Sequence, residues 1–84
     1  MTKLIIDAAK DNIFFMIIDD NNIYSVTHEN SKINYEKLII LVTEFLNGYN
    51  FKINDIKLMY INRGPGSFAG IRNSLSMIKA IHMI

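Results

Sequence analysis

The sequence predicts a small α/β domain with the order βββαβα, because apolar runs of strand length alternate with segments of helical spacing. Three short apolar runs follow one another with only turn-forming residues between them, which is typical of an antiparallel meander. A helix then separates the third run from a fourth, and a strand–helix–strand connection favours a right-handed crossover with parallel pairing. The predicted strands are residues 4–7, 13–18, 23–27 and 56–61, and the predicted helices are residues 35–47 and 68–84.

The predicted strands differ in how much burial their residues indicate. Residues 13–18 are apolar on both faces of the strand, so we expect both faces of the sheet to be covered there. Residues 23–27 alternate more loosely, as at a sheet edge. Between these two strands, residues 19–22 are all Asp or Asn, which stabilise turns and tolerate left-handed backbone geometry.

The first predicted helix has an apolar stripe wider than one sheet face needs. Asn34 is its expected N-cap, and Gly48 is expected to stop it. Ile40 and Leu41 lie off the main stripe, which indicates either a second contact surface or simply a broad core face. The stripe itself consists of Tyr35, Leu38, Ile39, Val42, Phe45, Leu46 and Tyr49.

A glycine-rich turn connects the fourth strand to the last helix. The segment Gly64-Pro65-Gly66-Ser67 fits a type II turn, with Pro65 presetting φ and Gly66 supplying the positive φ that follows. Ser67 is the expected N-cap of the helix. Arg72 then falls near the helix N-terminus, where the helix dipole disfavours a cation, so it indicates either an anionic partner or a solvated surface arginine.

The last predicted helix presents one apolar face and several small residues. Its expected core face consists of Phe68, Ile71, Leu75 and Ile78, with Met77, Ile81 and Ile84 beside it. The small residues Gly70, Ser74 and Ala80 would permit close approach of another helix.

Length and composition exclude several classes of protein. The chain of 84 residues allows one domain, residues 1–84, and half of its residues are hydrophobic. Such short chains often depend on a partner or a second copy for stability. The net charge of +1 is too balanced for a protein that binds nucleic acid by itself. The lack of cysteine fits a cytoplasmic location, and no apolar run approaches membrane-spanning length.

The segment Arg63-Gly64-Pro65-Gly66-Ser67-Phe68-Ala69-Gly70-Ile71-Arg72 closely resembles the RGPGSFTGLR signature of the bacterial TsaB (YeaZ) family. The resemblance implies an RNase H-like lobe of the actin-like ATPase superfamily. It also implies a non-catalytic partner of TsaD in the threonylcarbamoylation of tRNA adenosine next to the anticodon, together with the ATPase TsaE. The resemblance extends over the whole chain but matches only the N-terminal lobe of a typical member, so we expect the lobe to stop before its fifth strand.

The residues argue against the catalytic functions that such folds host. A two-metal nuclease needs converging carboxylates. Asp7 and Glu44 are candidates, but Asn62 and Arg63 occupy the end of the fourth strand, so Asp7 is expected to be structural or vestigial. A nucleotide site after the first strand would use hydroxyl residues in this superfamily, whereas this chain has Ala8 and Ala9.

The remaining candidates for chemistry are weaker. The Gly64–Ser67 turn lacks the lysine and hydroxyl of a P-loop, although its amides are suited to an anion. His28 and His82 are far apart, so His28 is interpreted as a solvated link residue, and no metal or other cofactor is expected.

The sequence therefore favours an interaction module that binds a TsaD-like protein, or a second copy, through its two helices, with only indirect contact to tRNA. The open alternatives are a minimal nucleotide-binding or hydrolysing domain that uses the Gly64–Ser67 turn and a non-functional fragment of a longer protein. The expected interface residues are Leu38, Ile40, Leu41, Phe45, Ser74, Met77 and Ile81.

Overall fold

A computed structural model describes residues 1–64, 69–71 and 73–83 of the chain. Within these residues, no helix combines the length and the apolar character that a membrane span requires. The elements are β1 (Thr2–Asp7), β2 (Asn12–Asp19), β3 (Asn22–Glu29), α1 (Lys32–Glu36), α2 (Leu38–Gly48), a 3₁₀ turn (Ile53–Asp55), β4 (Leu58–Asn62), β5 (Ala69–Ile71) and α3 (Ser74–Met83).

The strands form one mixed sheet in the order β3-β2-β1-β4-β5. The first three strands pair antiparallel, as the predicted meander requires, and β4 pairs parallel to β1 after the helical crossover. The predicted α/β class is thereby confirmed. The expectation of only four strands is wrong, because Ala69–Ile71 pairs antiparallel with β4 and adds a short edge strand.

The first predicted helix is two helices that meet at Lys37, whose backbone leaves helical geometry with φ −104° and ψ 29°. The N-cap is Ser31 and not Asn34, because the Ser31 hydroxyl oxygen accepts a hydrogen bond from the Asn34 amide at 3.2 Å. Helix α2 includes Gly48 as its last residue and so ends one residue later than predicted, since Gly48 was expected just past the helix. The positive φ after the helix falls two residues later, on Asn50 (φ 63°).

The last helix begins later than predicted. Residues Ala69–Ile71 form β5, and the Asn73 side chain accepts hydrogen bonds from the amides of Leu75 (2.9 Å) and Ser76 (3.2 Å) at the start of α3. The predicted N-cap, Ser67, and its neighbours 65–68 lie outside the described residues. Because the start of the helix differs, its buried stripe differs too.

The hydrophobic core lies between one face of the sheet and the two longer helices. Phe15 is central to it, with ring centroids 5.6 Å from His28 and 6.0 Å from Phe45. At the edge, Tyr24 of β3 stacks on Tyr49 at 4.2 Å, which fixes the end of α2 over β3. The buried residues are Leu4, Ile6, Ala8, Ile13, Phe15, Ile17, Leu38, Leu41, Val42, Phe45, Leu46, Ile56, Met59, Ile61, Met77 and Ile81.

The prediction that both faces of β2 are covered is wrong for the described residues. Alternate β2 residues, Ile13, Phe15 and Ile17, are buried under the helices, whereas Phe14, Met16 and Ile18 on the other face are partly exposed. These three side chains shield one another and their neighbours on adjacent strands, which explains why they are not fully exposed. We call this second face, with Ile5, Phe14, Met16, Ile18, Leu58 and Tyr60, the open face.

Candidate functional site

The carboxyl ends of the parallel strands β1 and β4 meet at one edge of the sheet. Asp7 and Asn62 are register partners, and the Ala8 amide donates a hydrogen bond of 2.8 Å to the Asn62 carbonyl oxygen. In open α/β sheets, ligands bind beyond the carboxyl ends of the strands. This edge is therefore the candidate functional site of the fold.

Asp7 organises the turn that follows β1. Its Oδ1 atom accepts a hydrogen bond of 3.1 Å from the Ala9 amide, so the carboxylate stabilises its own turn. An open cleft of about 310 Å³ lies beside it, lined by Asp7, Lys10, Asp11, Asn12 and Phe14. The amide that would otherwise point to a ligand in this turn is thus already bonded, which agrees with a structural role for Asp7.

Asn62 plays the same part after β4. Its Oδ1 atom accepts a hydrogen bond of 3.1 Å from the Gly64 amide. Gly64 has φ +146°, a conformation that side-chain-bearing residues rarely adopt, so the position requires glycine. Arg63 is exposed beside it. The rest of the predicted type II turn, together with Arg72, lies outside the described residues.

Asn30 ties the turn after β1 to the end of β3, and sequence reasoning missed it. Its Nδ2 atom donates to the carbonyl oxygens of Ala8 (3.1 Å) and Lys10 (2.7 Å). Its backbone amide also donates to Asp11 at 3.0 Å. An asparagine after a strand is common in turns, so only the tertiary contact distinguishes this one.

The structure does not bring the predicted carboxylates together. Asp7 ends β1 on the open face of the sheet, as its alternation with the buried Leu4 and Ile6 shows. Glu44 is exposed on α2, which covers the opposite face. Among the described residues, no three His, Cys, Asp or Glu side chains are arranged to hold a metal ion. His28 is in β3 and contacts the Phe15 ring, so its interpretation as a solvated link residue is wrong.

Most of the residues predicted to form the interface do not lie on the surface of the helical layer. Leu38, Leu41, Phe45, Met77 and Ile81 are buried in the core, because α2 and α3 turn these side chains toward the sheet. They are therefore not available to a partner in this fold. Ile40 is exposed, as an interface residue should be, and the Ser74 side chain lies outside the described part of the chain.

The last helix also departs from its predicted core face. Leu75 is exposed, while Met77 and Ile81 take the buried positions one turn apart. Gly70, expected to permit close helix approach, lies in β5, where an added Cβ would be 3.4 Å from the Tyr60 ring. A second open cleft of about 300 Å³ lies between the helices, lined by Tyr35, Glu36, Leu38, Ile39, Ile81 and His82.

Comparisons with known proteins agree with the glycine-rich signature. No protein-family model matches the chain. A tRNA threonylcarbamoyladenosine biosynthesis protein TsaB from Buchnera aphidicola subsp. Baizongia pistaciae is 29% identical over 68 residues, which are 70% of this chain and 31% of that protein. The fold is similar to YeaZ from Pseudomonas aeruginosa, with a TM-score of 0.69 at 17% identity over 98% of this chain and 38% of that one. The chain is similar in sequence to this TsaB protein and in fold to YeaZ.

The chain matches an N-terminal part of these proteins and spans about a third of their length. A second structure, described as an uncharacterized protein with similarity to peptidase YEAZ from Pseudomonas aeruginosa, gives the same TM-score, identity and coverage. At this level of identity the structural similarity shows the fold alone, and it agrees with an RNase H-like lobe.

Proposed function

We propose that this chain is a cytoplasmic, non-catalytic docking subunit in the biosynthesis of threonylcarbamoyladenosine in tRNA. It binds a TsaD-like enzyme through its helical layer, works alongside a TsaE-like ATPase, and contacts tRNA only through the enzyme. The observation that carries the proposal is the sequence similarity to a curated TsaB protein, together with the glycine-rich signature at the end of β4.

The exposed surface of the helices supports docking at that layer. Among the helical side chains that the structure describes, three large apolar ones are more than half exposed: Ile33 (70%), Ile40 (53%) and Leu75 (62%). Isolated exposed apolar residues are normal on a protein surface. A partner helix that covered them would remove apolar area from water, which favours association by about 25 cal/mol per Å². The proposed interface therefore consists of Ile33, Ile40 and Leu75, and it no longer includes the predicted interface residues that are buried in the core.

Ile40→Glu tests the docking surface directly. We expect it to weaken binding to the same organism's TsaD-like protein at least about tenfold, because a charge would replace apolar area at the interface. Titration calorimetry would measure the affinity, and circular dichroism would show that the fold persists. The matched control is Asn47→Glu, which adds the same charge two helical turns away and removes no apolar surface. Equal affinities for wild type and Ile40→Glu would exclude this residue from the interface.

Reconstitution tests the proposed function itself. We expect threonylcarbamoyladenosine to form in tRNA when this chain is combined with the TsaD-like and TsaE-like proteins, and its yield to fall when the chain is omitted. Nucleoside analysis by mass spectrometry would measure the yield, and an unchanged yield without the chain would contradict the proposal. The rival function, a minimal nucleotide-binding or hydrolysing domain that uses the Gly64–Ser67 turn, would instead give tight, stoichiometric heat when ATP and magnesium are titrated into the chain alone.

A further inference from the structure

The long edge strand β3 lacks, over residues 22–28, the features that usually protect a sheet edge from pairing. It contains eight residues, Asn22–Glu29, and lies at the end of the strand order, paired only with β2 within the described residues. Natural sheets protect such edges with lysine, proline, bulges or short strands. The β3 sequence contains neither lysine nor proline, and its eight pairs with β2 run without a bulge.

The hairpin register identifies which backbone groups point outward. Asp19 and Asn22 flank a two-residue loop, so they form a hydrogen-bonded pair, and such pairs alternate along the ladder. At the far end of the same hairpin, the Asn30 amide donates a hydrogen bond of 3.0 Å to the Asp11 carbonyl oxygen. This is a position where the alternation requires a hydrogen-bonded pair. The backbone groups of the even-numbered residues 22–28 therefore point to β2, whereas those of Ile23, Ser25, Thr27 and Glu29 point away from it.

We propose that β3 pairs antiparallel with β3 of a second copy, about a two-fold axis at Ser25, to form a continuous sheet of five strands from each copy. Of the four residues whose backbone groups point away from β2, a centre at Ser25 uses Ile23, Ser25 and Thr27 and leaves the charged Glu29 outside the new ladder. Ser25 then lies opposite Ser25 of the second copy, and Ile23 lies opposite Thr27. Each of these pairs exchanges two hydrogen bonds.

The side chains favour this register and a second copy as the occupant. On the helical side, Tyr24 lies opposite Val26, an aromatic–β-branched pair of the kind that stabilises sheets. On the open face, Ile23, which is 63% exposed, lies opposite the β-branched Thr27. No Asp, Glu, Lys or Arg falls within residues 22–28, so no like charges oppose each other. The two-fold axis is normal to the sheet, so the pairing leaves the outer helical surfaces uncovered.

Cysteine cross-linking tests the register, because the chain has no cysteine of its own. In the proposed pairing the two Ser25 Cα atoms are about 5.5 Å apart, within reach of a disulfide. We expect Ser25→Cys to form a covalent dimer on mild oxidation. Thr27→Cys is the matched control, since its two copies would be about 14 Å apart along the strands, too far for a disulfide. Equal cross-linking of both variants, or of neither, would overturn the proposed register.

Light scattering tests the dimer without a cysteine. We expect the wild-type mass to rise with concentration from 9.7 kDa toward twice that value. Ser25→Lys should stay monomeric, because two lysines would meet at the axis, whereas Asn47→Lys, with the same charge on α2, should still dimerise. A wild type that remains monomeric at every concentration, or a Ser25→Lys variant that dimerises like wild type, would overturn the proposal.

Discussion

Leu41→Glu is expected to unfold the protein. Leu41 is only 7% exposed and belongs to the core, and no polar or charged side chain is buried among the described residues to pair with a carboxylate. Burying an unpaired ion costs several kcal/mol in a protein, and domains are stable by only about 5–15 kcal/mol. The loss of stability would appear as a strongly lowered urea concentration at the unfolding midpoint, or as loss of the native circular dichroism signal at 25 °C.

The neighbouring position supplies the control for this prediction. Ile40 precedes Leu41 on the same helix but is exposed, so Ile40→Glu should keep nearly the wild-type unfolding midpoint. The two variants add the same charge one residue apart, and only their burial differs. If Leu41→Glu folded normally and lost only its partner, Leu41 would belong to an interface and not to the core.

Local patterns were sufficient for most of the fold. The Asp and Asn residues at 19–22 predicted the hairpin, and the observed turn has Asp20 at positive φ (52°). The apolar run after the first helical segment predicted β4 and its parallel pairing with an earlier strand, which the structure shows to be β1. The short strand β5 was not predicted, because Ala69-Gly70-Ile71 has no strand pattern of its own. The segment is a strand because it pairs with β4.

The helical surfaces show where sequence patterns stop being sufficient. The apolar stripe of α2 does not determine where the buried face of the helix ends. It also does not determine which of the additional apolar residues are buried and which are exposed. Leu41 and Ile40 both lie off the predicted stripe, yet one is buried and the other exposed. On α3 the phase of the stripe depends on where the helix starts, and the Asn73 side chain that caps it was not recognised.

The site edge was predictable only in part for the same reason. Parallel pairing of β1 with β4 places Asp7 beside Asn62, whereas the predicted topology specified parallel pairing only with an earlier strand. The hydrogen bonds of Asn30 to Ala8 and Lys10 connect residues about twenty positions apart, and no local pattern indicates them. Residues whose role is a tertiary hydrogen bond carry no periodic signal in the sequence.

Phe15→Ala is expected to cause the largest loss of stability among truncations in the sheet. Phe15 is fully buried and contacts the rings of His28 and Phe45, so its removal leaves a cavity at the centre of the core. Such truncations cost about 3–5 kcal/mol. Urea unfolding followed by circular dichroism would measure the difference in the free energy of unfolding.

Phe14→Ala is the matched control, because it removes the same side chain from the adjacent residue on the open face. Phe14 is partly exposed, so less apolar area returns to water and no enclosed cavity forms, and we expect a clearly smaller loss than for Phe15→Ala. The comparison measures which face of the sheet supports the fold. An equal or larger loss for Phe14→Ala in the isolated chain would mean that the open face is covered in solution, and that the helices are not the sole source of the core.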